Sequence, residues 1–260
     1  MSVAVIVGSA FSQRGGLELE PVEVETAHGP VVLHRAADTG GWLLFRHGLP
    51  HRYLPNQIPY RAHAAALAQV GCEALLVTSS VGVMDASVPL YTPLIVGDVV
   101  MLDNRLPDGS ACTMFPRPTP GQGHLVLEEG LLSGALRAQV RALSEGAGVP
   151  VARAEVVFLY RDGPRTKTAA ENRLFADWAQ VNSMSLAPEV VLANELEIPC
   201  CGLVIGHKYS VSGGITPDRA GIAESLERSR AAMERAVMAF LEGGAGVPFG
   251  NHLYRFEGAQ

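Results

Sequence analysis

The sequence predicts an α/β fold in a single domain spanning 1–260, and two observations carry that reading. Of 260 residues, 48% are hydrophobic but only 6% aromatic, so the core must be built from Val, Leu, Ala and Ile, the side chains of buried parallel strands. Short apolar runs also alternate along the chain with stretches of helical spacing, and neither an internal repeat nor a linker interrupts them.

The elements follow in order. Residues 3–7 form an apolar run that stops at Gly8-Ser9-Ala10, a buried first strand opening into a loop at its carboxyl end, where open α/β sheets bind ligands. Residues 31–33 and 42–45 flank the turn sequence Asp38-Thr39-Gly40-Gly41 and read as an antiparallel pair, the second strand ending at Arg46-His47-Gly48. An Ala-rich helix is expected over 60–70, between Pro59 and Gly71. A strand over 74–78 runs into Ser79-Ser80-Val81-Gly82, and another covers 98–102. Pro107, Gly109, Pro116, Pro118, Pro120, Gly121 and Gly123 then impose a long loop. Helices are expected over 131–143, 167–180, 188–197 and 218–241, strands over 155–160 and 199–205, and a loop over 206–214.

Net charge and cysteine usage narrow the partners. A formal charge of -6 and a pI near 5.8 provide no basic footprint, which disfavours nucleic acid and anionic membrane. Cys72, Cys112, Cys200 and Cys201 contain no C-x-x-C pair, and the adjacent Cys200 and Cys201 on a strand should face opposite sides. They read as reduced core thiols. No basic leader precedes the first apolar run and no segment is long enough to span a bilayer, so a cytoplasmic location is expected.

Several strand ends carry small or polar residues suited to an oxyanion: Gly8-Ser9, Arg46-His47-Gly48, Ser79-Ser80 and Met184-Ser185. Hydroxyls, backbone N–H groups and a guanidinium converging from separate strands are what a phosphate dianion requires. The first strand lacks Gly-x-Gly-x-x-Gly, and no G-x-S-x-G, Walker A or H-E-x-x-H sequence occurs. His47 and His51 are four apart, but Gly48 and Pro50 between them argue against a helix that would align them on a metal. No metal and no cofactor is expected.

Four stretches, in order, resemble the 5′-methylthioadenosine and purine nucleoside phosphorylases. They are Arg46-His47-Gly48 with His51 and Asn56-Gln57-Ile58-Pro59-Tyr60-Arg61-Ala62-His63; Gly71-Cys72 with Val77-Thr78-Ser79-Ser80-Val81-Gly82; Gly163-Pro164-Arg165 with Glu171; and Met184-Ser185-Leu186-Ala187-Pro188-Glu189-Val190-Val191-Leu192-Ala193. The match is weakest over 106–150. The resemblance implies a central mixed sheet flanked by helices, a homotrimer, and phosphorolysis of an N-glycosidic bond with inorganic phosphate as co-substrate. It also implies phosphate binding by Ser9, Arg46, His47, Ser79, Ser80 and Ser185, with Met184 against the ribose.

The base site departs from the family pattern. Where adenine-specific relatives carry A-T-D-Y-D, this chain has Gly206-His207-Lys208-Tyr209-Ser210, so Lys208 and Ser210 replace the two Asp residues. A carboxylate accepts from an amino group, whereas an ammonium can only donate. Adenine preference should therefore weaken, with Lys208 or His207 donating to a carbonyl or anionic ring nitrogen of the leaving base. The opposing reading turns Lys208 to solvent. Thr166 replaces a Phe or Leu and Ser183 replaces an Asn, which changes the base pocket further. Three functions stay open: a phosphorylase for a purine or related nucleoside with or without a 5′-modification, a nucleoside hydrolase, and a non-catalytic binding protein.

Overall fold

A computed structural model of the chain describes residues 2–8, 11, 18–211 and 219–255. Along the sequence run β1 (Ser2–Val7), β2 (Leu19–Val24), β3 (Val31–Ala36), β4 (Trp42–Phe45), α1 (Tyr60–Gln69), β5 (Cys72–Val83), β6 (Pro93–Val100) and β7 (His124–Val126). After these come α2 (Gly134–Gly146), β8 (Val156–Tyr160), α3 (Ala169–Phe175), β9 (Val181–Ser183), α4 (Ala187–Glu195), β10 (Cys200–Tyr209), α5 (Arg219–Gly243) and β11 (His252–Tyr254).

Nine strands form one mixed sheet in the order β10-β6-β8-β9-β5-β1-β4-β3-β2. Because β10 also pairs with β5, the strands β10, β6, β8, β9 and β5 close into a ring, from which β1, β4, β3 and β2 extend as an open wing. The parallel pairings β1–β4, β1–β5 and β5–β10 place four carboxyl ends along one edge.

Both faces of the sheet are covered, as an apolar run without polar alternation requires. Ala4 and Ile6 of β1 pack on one side with Ala62, Ala66 and Leu67 of α1 and Val190 and Ala193 of α4. Val3, Val5 and Val7 pack on the other with Leu136 and Val140 of α2 and Met233, Val237 and Phe240 of α5. The expected opposition of the adjacent cysteines is observed, Cys200 lying in the first core and Cys201 in the second.

The first strand, the β3–β4 antiparallel pair and the Ala-rich helix stand where the sequence puts them, and Gly71 ends that helix at a φ of +69°. Four expectations need correction. Strand β5 continues through Ser79-Ser80-Val81-Gly82 instead of ending before them, because β9 and β10 pair with that stretch. Strand β10 likewise extends to Tyr209 across part of the expected loop. Strand β6 begins at Pro93, five residues early, and α3 stops at Phe175 because the chain turns into β9 at Val181.

Candidate active site

The carboxyl ends of β1, β4, β5 and β10, with β9 and the segment before α3, surround a cavity of ≈ 350 Å³. Arg46, immediately after β4, is its most constrained member. Its side chain is buried, and Nε and Nη2 donate to the Glu189 carboxylate at 2.6 and 2.9 Å while Nη2 also donates to the Thr78 carbonyl at 2.8 Å. Those bonds occupy one edge of the guanidinium, and Nη1 turns towards Gly8, where an added Cβ would come within 2.7 Å of it. A glycine at the end of β1 is therefore what allows the guanidinium to approach the strand.

Glu189 is held by strained backbone. Leu186, which caps α4, has φ 72° and ψ -56°, a conformation a branched residue adopts only when its surroundings impose it, and its N–H donates to Glu189 Oε2 at 2.8 Å. The same turn presents Ser185, whose hydroxyl lies 3.1 Å from that of Ser79. Ser79 is also 3.3 Å from the Ser183 hydroxyl, which donates to the Ser80 carbonyl at 2.9 Å. Three hydroxyls from β5, β9 and the α4 turn thus cluster beside the arginine.

His47 completes this end of the cavity. Its Nδ1 lies 2.8 Å from the Tyr53 carbonyl, which can only accept, so Nδ1 bears the proton and Nε2 is left for a ligand. Burial holds the ring below its ordinary pKa, the Tyr53 carbonyl opposes that shift and nearby Arg46 adds to it. The His47 and His51 rings stack at 4.4 Å with no helix between them.

The opposite end is assembled differently. Strand β10 shifts register between Gly206 and Lys208, which pair with Val81 and Gly82, so His207 is the extra residue of a bulge. The bulge sends His207 away from the cavity: its Nε2 is 3.1 Å from the Ser229 hydroxyl of α5 and its ring lies against Tyr91. The expectation that His207 faces the base is corrected accordingly. Lys208, Tyr209 and Ser210 do line the cavity, and Ser210 fills the space a side chain at Gly82 would need.

Of the residues singled out in the sequence, Arg46, His47, Ser79, Ser80, Thr166, Ser183, Met184, Ser185, Lys208 and Ser210 all line this one cavity. Ser9 lies outside the described residues. Met184 stands against Gly163, whose missing Cβ would fall 2.7 Å from the sulfur.

Sequence reasoning missed Glu189 and Lys167 as members of the site. Glu189 sits within the quoted Pro-Glu-Val-Val-Leu-Ala stretch, and only the fold reveals Arg46 as its partner, 143 positions away. Lys167 follows Thr166 directly and lines the cavity; burial, assisted by nearby Arg161, lowers its ammonium to about 8. Arg165 and Glu171 explain its placement. They pair through two hydrogen bonds of 2.9 and 2.8 Å, while Glu171 and Thr168 form a capping box at the start of α3, so the segment carrying Thr166 and Lys167 is clamped at the cavity mouth.

Comparisons with known proteins bear on the fold and the family. The chain is 30% identical over 221 residues to S-methyl-5'-thioadenosine phosphorylase of Danio rerio, covering 80% of this chain and 76% of that protein. It is 29% identical over 231 residues to a probable 6-oxopurine nucleoside phosphorylase of Dictyoglomus turgidum, covering 87% and 84%. The fold matches methylthioadenosine phosphorylase of Schistosoma mansoni with a TM-score of 0.78 at 19% identity, over 92% of this chain and 90% of that one. The family profile described as the phosphorylase superfamily matches residues 2–242, nearly every element that builds the cavity, and the chain belongs to that superfamily.

Proposed function

We propose that this chain cleaves the N-glycosidic bond of a purine or related nucleoside by phosphorolysis, releasing free base and a ribose 1-phosphate, with inorganic phosphate as the only co-substrate. One observation supports this above the rest: Arg46 is locked by Glu189 with Nη1 turned to Gly8, beside the Ser79 and Ser185 hydroxyls, at the carboxyl ends of parallel strands. Its relatives are named as nucleoside phosphorylases, which are pentosyltransferases.

In this reading Arg46, His47, Ser79, Ser80, Ser185 and Ser9 hold phosphate, and Met184 packs against the sugar. A phosphate oxygen forms the bond to C1′ as the C1′–N bond breaks and its electron pair passes to the base, which takes up a proton or a hydrogen bond. The phosphate charge stabilises the oxocarbenium character developing on the sugar, so the protein supplies positioning and needs no nucleophile of its own. Thr166, Ser183, Lys208 and Ser210 meet the base.

We read the assembly as a cytoplasmic homotrimer. Four unpaired cysteines support a reducing compartment, and exposed Leu174 of α3 with Trp178 just after it suit a subunit contact. Light scattering would test the trimer. The decisive assay is base release from a nucleoside panel with and without phosphate: sugar 1-phosphate formation is expected, while release independent of phosphate would identify a hydrolase and overturn the reading.

A further inference from the structure

We propose that the leaving base carries a full negative charge, as an ionised carboxylate or acidic lactam, held between Lys167 and Lys208; this rests on the nucleoside phosphorolysis reading. The charges lining the cavity motivate it. Its basic side chains are Arg46, His47, Lys167 and Lys208, burial disfavouring the charge on His47, and no carboxylate lines it among the described residues. Arg46 is neutralised by Glu189. Among the described residues neither lysine forms an ion pair, and the one hydrogen bond there from Lys167 Nζ is a long one, 3.4 Å, to the Arg161 carbonyl.

Their positions separate them from the phosphate end. Lys208 pairs with Gly82, three residues beyond Ser79 along β5, which at the rise of a strand is about 10 Å from Ser79, with Ser183 of β9 between the two ends. Gly82 pairs in turn with Asn182 of β9, whose side-chain amide lies 3.5 Å from Asn172 of α3. Lys167 stands two residues before α3 and lines the same cavity. The two lysines therefore line one cavity with the amides of Asn172 and Asn182 and the hydroxyls of Ser183 and Ser210, and Tyr209 is the one Phe, Tyr or Trp among the described lining residues.

A neutral heterocycle would gain little there, since stacking area is small and it offers no counter-charge to the exposed Lys208 or to the partly buried Lys167, whose charged form Asp162 and Glu171 favour without forming an ion pair with it. A charged base pairs with the lysines, and when the C1′–N electron pair passes to it together with a proton from water or an ammonium, it leaves as a singly charged anion that they continue to hold. Burial depresses the Lys167 ammonium, and an anion beside it would restore the charged form.

The experiment compares phosphorolysis of xanthosine, whose ring ionises near neutral pH, with inosine, adenosine and adenosine 5′-carboxylic acid. It also measures equilibrium binding of xanthine and hypoxanthine in the presence of phosphate. Xanthosine is expected to exceed inosine in kcat/KM by about tenfold or more, the scale of one charge-assisted hydrogen bond, and Lys167→Met and Lys208→Met should each erase most of that ratio. Thermal unfolding confirms that the variants fold. Equal or better turnover of inosine or adenosine, a ratio unmoved by both substitutions, or preference for the 5′-carboxylate overturns the proposal. If no nucleoside is cleaved, the phosphorolysis reading fails, and binding decides this one: lysine-dependent preference for xanthine sustains anion recognition, and equal or absent binding overturns it.

Discussion

The two ends of the cavity are built by opposite means. At one end Arg46, Ser79 and Ser185 are buried, cross-linked by hydrogen bonds and fixed by strand termini, so a ligand meets a surface that is already formed. At the other end Lys208 is exposed on a bulged strand and Thr166 and Lys167 sit on a clamped turn. A buried, fully bonded constellation tolerates little change because each member completes another, whereas a bulge and a turn accept new side chains with little strain elsewhere. That difference leaves the lysine end free to change its side chains while the arginine end holds its geometry.

The comparison breaks most visibly at Arg46. Arg46→Ala should lower kcat/KM by about 10²–10³ through the lost transition-state contact and leave Glu189 buried without its partner. Steady-state kinetics at varied phosphate would check the first effect and denaturant titration the second. Glu189→Gln should cost about 3 kcal/mol of stability, since it strands a buried guanidinium, and added phosphate should raise its Tm more than that of the unchanged protein. An equal phosphate effect on both would show that Glu189 does not compensate the charge that phosphate meets.

The base end should respond in selectivity. Lys208→Asp is expected to shift kcat/KM towards adenosine by about tenfold, the worth of one charge-assisted hydrogen bond, while the KM for phosphate stays within about twofold. A parallel rise in the phosphate KM would mean that the two ends are not separable.

The last effect lies behind the phosphate end and is read in stability alone. His63 of α1 is buried without a partner at Nδ1, and burial, with Arg46 and His47 nearby, lowers its pKa to about 3. Unfolding lets it bind a proton below its ordinary value of 6.5, so the unfolded chain holds more protons between 6.5 and 3 and stability falls as pH drops through that window. In His63→Asn this part of the slope should vanish, measured as the difference in unfolding free energy between pH 7 and pH 4.

Much of the fold was legible because its signals are local. Apolar runs marked β1 and β8, Gly71 ended α1, and the turn between β3 and β4 announced an antiparallel pair. The short strands β9 and β11 and the edge strand β2 escaped notice. At three residues each, the first two are strands only because a partner strand supplies their hydrogen bonds, while β2 interleaves Pro21 and acidic residues with its apolar ones. The histidine beside Lys208 was misjudged for the same reason: alternation along an ideal strand cannot foresee a bulge, and the bulge decides which of two neighbours meets the cavity.

By itself the sequence determined the α/β class and the residues fit to hold an oxyanion, since each depends on residue type and near neighbours. Only the tertiary structure decided that Glu189 locks Arg46, that Lys167 joins Lys208 and that His207 turns to α5. Those outcomes depend on pairings between residues distant in the chain, and such pairings exist only once β5, β9 and β10 have closed around the cavity.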